Sequence, residues 1–95
     1  MNLSDLLAAY LNRNRTVNFL TTLGDASVTV RHHSTFQMGI ETKTYVLVWV
    51  LKGSMSPIIV QSTSITEIMG HISALGYAVS LAFRMWCNTN LAIAA

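Results

Sequence analysis

Three histidines and one cysteine are the residues of this chain on which chemistry could be built. His32 and His33 are adjacent, and His71 and Cys87 supply two further zinc-ligand types. Adjacent strand residues point to opposite faces, so the histidine pair cannot reach one ion without a bulge. The expectation is an exposed His33, a half-buried His32 and no metal site. A Cys87–His71 nucleophile would need a base and an orienting group in space, and no local signature supports one. Cys87 reads instead as a small buried hydrophobe.

The four carboxylates, Asp5, Asp25, Glu41 and Glu67, are scattered. Glu67 has a helix-cap role and Asp25 a turn role, so no pair is set for acid–base work. The five glycines are isolated and form no phosphate loop. No catalytic residue, metal or cofactor is therefore expected, and the chain is read as a non-enzyme.

Two surface features remain. Arg15, Asn18, Arg31, His33 and Gln37 could align as a weakly basic stripe able to contact phosphates. Sheet readers of single strands add exposed aromatics for stacking, whereas Phe19, Tyr45, Trp49 and Phe83 fall on patterned faces that read as core. The other feature is apolar. In "TYVLVWVLKG", Tyr45, Leu47, Trp49 and Leu51 take one side of a strand and Val46, Val48 and Val50 take the other. With Leu20 and Ile59 added, the valine side makes a patch wherever helices cover only the opposite side. Burying about 700 Å² of it per chain would approach a standard interface. The alternative places one helix on each side and makes the strand plain core.

The elements that position these residues follow from periodicity. Leu3, Leu6, Leu7, Tyr10 and Leu11 fit one face of a helix over Ser4–Asn12, capped by Ser4 or Asn2. The period then changes to two. Val17, Phe19 and Leu23 run to a two-residue turn at Gly24-Asp25, followed by Val28 and Val30, which pairs Phe19 with Val30 and Val17 with His32. The alternation continues through Phe36 and Met38 before Gly39 and "ETKT" reverse the chain into the valine strand. A second hairpin near Gly53–Ser56 returns through Pro57 to Val60, where proline suits an edge. Ser64 with Glu67 forms a capping box for a helix carrying Ile65, Ile68, Met69, Ile72 and Leu75 and ending at Gly76. Tyr77, Val79, Leu81, Phe83 and Met85 alternate with smaller residues and read as a last strand.

These readings give one α+β domain over residues 1–95: a mostly antiparallel sheet of four to five strands with two helices, in the order α-β-β-β-β-α-β. The chain is 52% hydrophobic and only 11% charged, against about 25% charged residues in ordinary soluble domains. Its surface is short of charge, so part of it is expected to be hidden. No apolar run reaches the roughly 20 residues of a membrane span. Asp5 and the lack of an early basic residue speak against a signal peptide, and the single cysteine suits the cytoplasm.

The function expected is that of a small cytoplasmic inhibitor or modulator of the phage or mobile-element kind. It would bind another protein, form a homodimer and block its partner sterically. The residues expected to bind are Arg31, His33, Lys43, Tyr45, Val46, Val48, Trp49, Val50, Lys52 and Trp86, with the aromatics as anchors. Nucleic-acid binding through the basic stripe is the alternative, and no membrane partner is expected.

Overall fold

The computed structural model describes residues 2–21 and 25–91 and gives the order α1 (Leu3–Asn14), β1 (Thr16–Leu20), β2 (Ala26–Gln37), β3 (Ile40–Leu51), β4 (Ile58–Ser62), α2 (Ile65–Ala74) and α3 (Tyr77–Asn90). The four strands form one antiparallel meander in sequence order, as the hairpin signals required. All three helices contribute to a single core that also takes Val17, Phe19, Val28, Val30, Tyr45 and Leu47 from the sheet. These strand residues share one face by the cross-strand pairs Val17–Val30, Phe19–Val28 and Val30–Leu47. The molecule is thus two layers deep, and its shortest dimension is 20 Å.

Helix α1 starts where Asn2 Oδ1 accepts the Asp5 N–H at 2.9 Å, and it buries Leu7 and Leu11. It ends at Arg15, whose left-handed backbone (φ 67°) lets its N–H reach the Leu11 carbonyl at 2.7 Å. Helix α2 is capped as its sequence indicates, with Ser64 Oγ accepting the Glu67 N–H at 3.3 Å. The reciprocal half of the box differs. The Glu67 carboxylate accepts from the Ser62 hydroxyl at 2.9 Å, and Ser62 Oγ accepts the Ser64 N–H at 3.0 Å.

The fifth strand expected over Tyr77–Met85 is a helix, so the described residues hold three helices and the order ends α-α. The cause is an ambiguity of spacing. Val79 and Phe83 share the parity of one strand face, but with Cys87 they also stand at i, i+4 and i+8, and together with Ala82 they are the buried side of α3. A strand would have left Ala82 on the small-residue side with Ala78 and Ser80. Past Val79 the segment lacks β-branched residues until Thr89, and Ala, Leu, Met and Arg favour a helix. Gly76, at φ 127°, makes the sharp passage from α2 into α3.

The first hairpin pairs Phe19 with Val28 rather than with Val30, a slip of two residues from the register expected. Gly24 lies outside the described residues. Thr21 already pairs with Ala26 through its N–H and the Ala26 carbonyl at 3.0 Å, so the connection is longer than two residues. Because the slip is even, every side chain keeps its face. The hairpin between β2 and β3 turns at Met38-Gly39, both left-handed at φ 53° and 79°, which is the geometry of a tight primed turn. The "ETKT" segment lies inside β3 rather than in the turn.

Strands β2 and β3 are consequently twelve residues each, whereas β1 and β4 have five. Flanking strands stop at Arg31 on one side and Tyr45 on the other. Five further pairs, His33–Thr44 to Gln37–Ile40, continue as a two-stranded arm. At about 3.4 Å per residue it extends roughly 17 Å. The radius of gyration of 13.7 Å exceeds the roughly 12.4 Å of a compact 95-residue chain, as the arm requires.

Candidate protein interaction face

With every described helix on one side, the other side of the sheet has no covering layer among the described residues. Strand parity places Thr16, Asn18 and Leu20 of β1 there, with Ser27, Thr29, Arg31 and His33 of β2, Val46, Val48 and Val50 of β3, and Ile59 and Gln61 of β4. The three valines are half-buried only by their neighbours within the sheet, while Leu20 and Ile59 are 63% and 57% exposed. A groove of about 520 Å³ runs between Arg31, His33, Val46, Val48, Ile59 and Gln61. A smaller one, about 180 Å³, lies at the far end between Leu20, Asp25, Ser27, Val50 and Lys52. Next to the apolar columns, Thr29 Oγ1 donates to Asn18 Oδ1 at 2.7 Å.

The ten residues expected to bind divide by side. Arg31, His33, Val46, Val48 and Val50 share the open face, and Lys52 stands at its end beside Val50. Tyr45, Trp49 and Lys43 have the opposite parity and belong to the helical side. Tyr45 is only 8% exposed and packs into the core, 6.3 Å from the His32 ring. Trp49 is half-buried against that core, and Lys43 Nζ donates to Asn12 Oδ1 of α1 at 2.6 Å. Trp86 sits on α3, edge-on to Tyr10 at 5.0 Å. None of these aromatics faces the valine side. The larger side chains fill the gap between sheet and helices, and the flatter valines are left outside.

The arm adds apolar residues that composition alone did not single out. Phe36 is 73%, Met38 96% and Ile40 68% exposed. Ile40 continues the open face, whereas Phe36 lies on the helical side of the ribbon, opposite Glu41. The signal that would have found them is the Met38-Gly39 turn, since it fixes the pairing of the whole ribbon.

The histidines stand as their alternation requires. His32 is half-buried and its Nε2–H donates to the Leu11 carbonyl at 2.6 Å, tying β2 to the end of α1. His33 is exposed on the other side. His71 lies 3.8 Å from Glu67 on α2. Cys87 is buried, and desolvation pushes its thiol up to about 11, so it is protonated at neutral pH. Among the described residues no three His, Cys, Asp or Glu side chains gather around a common point, and no helix is long and apolar enough to cross a membrane. No family model matches the chain, and neither the curated proteins nor the solved structures give a match.

Proposed function

We propose that the protein acts as a non-catalytic binding module, docking another protein on its open sheet face, associating with itself as a homodimer and blocking or modulating its partner by occupying space. The observation that carries this reading is the placement of all three helices on one side of a sheet whose other side carries Val46, Val48, Val50, Leu20 and Ile59. Contiguous apolar surface of this kind is seldom left bare in water and marks binding sites. The buried, protonated Cys87 suits a reduced cytoplasmic setting and acts as packing. Inhibitors of the phage and mobile-element type are a class that works in this way, by analogy of size and chemistry alone.

Partner capture from a cell extract tests the reading. Val48→Arg, which puts a charge at the middle of the face, should lose the captured partner while circular dichroism stays that of the parent. Capture that survives Val48→Arg unchanged would sink it.

A second reading keeps the face and changes the partner. Arg31 and His33 stand on the open side together with Asn18 and Gln37, and Arg15 and Lys43 line a neighbouring groove at the root of the arm. Together they make a weakly basic surface for nucleic acid. Phosphate contacts weaken steeply with salt, whereas apolar docking does not. Binding that collapses between low and moderate salt, and vanishes in Arg15→Glu/Arg31→Glu, would replace the protein partner by nucleic acid.

A further inference from the structure

The outer side of the β2–β3 ribbon falls into two equal halves. Three cross-strand rows, Ser27–Val50, Thr29–Val48 and Arg31–Val46, lie over the body of the sheet, and three more, His33–Thr44, Thr35–Thr42 and Gln37–Ile40, lie on the arm. Within the body the exposed apolar residues are Leu20 at the far end, beside the half-buried Val50, and Ile59 of β4, opposite Val48. On the arm they are Ile40 and Met38 at the tip. The chain therefore carries a protruding apolar tip and an apolar recess at matching distances on either side of one point, the root of the arm.

We propose that the open face is covered by a second copy of this chain, related by a two-fold axis through the root of the arm, so that each arm lies along the other copy's sheet and Ile40 of each seats against Val50 and Leu20 of the other. The inference rests on the reading of the open face as a binding surface and names its occupant. Three observations favour a copy over an unrelated protein. An isologous contact needs projection and recess on the same surface, and both are on this ribbon. Their lengths agree, since the arm's five pairs span roughly 17 Å and the five-residue flanking strands span the same. The third is area. Four strands of five residues, spaced by about 4.8 Å, offer roughly 330 Å² in projection. That is small against the roughly 800 Å² per partner of a standard interface, so a stable pair needs the arms as well as the bodies. Facing sheets pack with their strands within about 30° of alignment, which a pair of twisted ribbons meets. At the centre the arrangement opposes Arg31 of each copy to His33 of the other.

The test combines sedimentation with cysteine cross-linking of the full chain in a Cys87→Ser background. Ile40 and Val50 are ten residues apart on one strand, about 34 Å, too far for a short bismaleimide to bridge within a chain. Mixed Ile40→Cys and Val50→Cys proteins should cross-link at least tenfold more than either alone. Ile40→Asp, at an exposed position that the folded monomer does not need, should weaken the dimer at least tenfold. A dimer that Val48→Arg dissociates but that gives no mixed cross-link overturns the crossed arms and leaves the face reading intact. A Val60→Cys self cross-link overturns them too, because it signals pairing through the β4 edge. A monomer at every concentration overturns the proposal outright, and partner capture then judges the face by itself.

Discussion

Leu47 and Val48 are neighbours in the chain and opposites in surroundings. Leu47 is 1% exposed under the helical layer, while Val48 is on the opposite side of the sheet. The difference is one of supply: the chain has helices enough for one side of its sheet. That side took the larger residues, Tyr45, Leu47 and Phe19, because a gap of about 10 Å between layers is filled best by long side chains. The valine side, with Thr and Ser in the next column, is smooth enough to meet another flat surface.

The largest effect should fall on this neighbouring pair. Leu47→Ala removes a fully buried side chain and should cost about 3 kcal/mol in urea denaturation, whereas Val48→Ala in the monomer should cost under about 1 kcal/mol. If the face is shared between copies, the Val48→Ala loss grows with protein concentration and the Leu47→Ala loss does not. Equal, concentration-independent losses would break the contrast between the two sides.

The histidine pair repeats the contrast on a smaller scale. His32→Ala gives up the bond to the Leu11 carbonyl and should cost about 1 kcal/mol, whereas His33→Ala on the open side should fall within about 0.5 kcal/mol of the parent. Both are readable as midpoint shifts in thermal unfolding.

The fold was legible where two signals agreed. The Ser64 cap, the helix stripe over Ile65–Leu75 and the meander all stand as their residues indicate. Alternation in β1, β2 and the Tyr45–Leu51 part of β3 kept paired side chains on common faces even where the first hairpin slipped, because an even slip is invisible to parity. Periodicity failed at α3, where i, i+4 and i+8 coincide with every second residue. It was also silent about which face the helices take. That choice depends on how residues distant in sequence fill a common volume, and it separates Tyr45 and Trp49 from the valines of the open side.

The arm gives a further, smaller handle. Met38 occupies a left-handed position that asparagine tolerates better, so Met38→Asn should tighten the turn by about 0.5 kcal/mol, seen as slower amide exchange in the pairs from Ser34–Lys43 to Gln37–Ile40. Faster exchange there would show that this turn does not hold the ribbon. At neutral pH the smallest effect is that of Cys87. Its raised thiol favours the folded state with the proton on, so this contribution is complete below the unfolded thiol's pKa near 9 and is lost as pH rises through about 11. Stability of the parent should fall over that window relative to Cys87→Ala, and iodoacetamide at pH 8 should label the unfolded chain far faster than the folded one.

The brevity of the outermost strands carries a last consequence. Five residues on each flank, with Pro57 stopping β4 from starting earlier, leave only a short row of free amides and carbonyls to template another strand. Growth by sideways stacking is therefore starved, and association is steered toward closed assemblies instead of fibres. Lengthening that flank by Pro57→Val would exchange solubility for polymerisation.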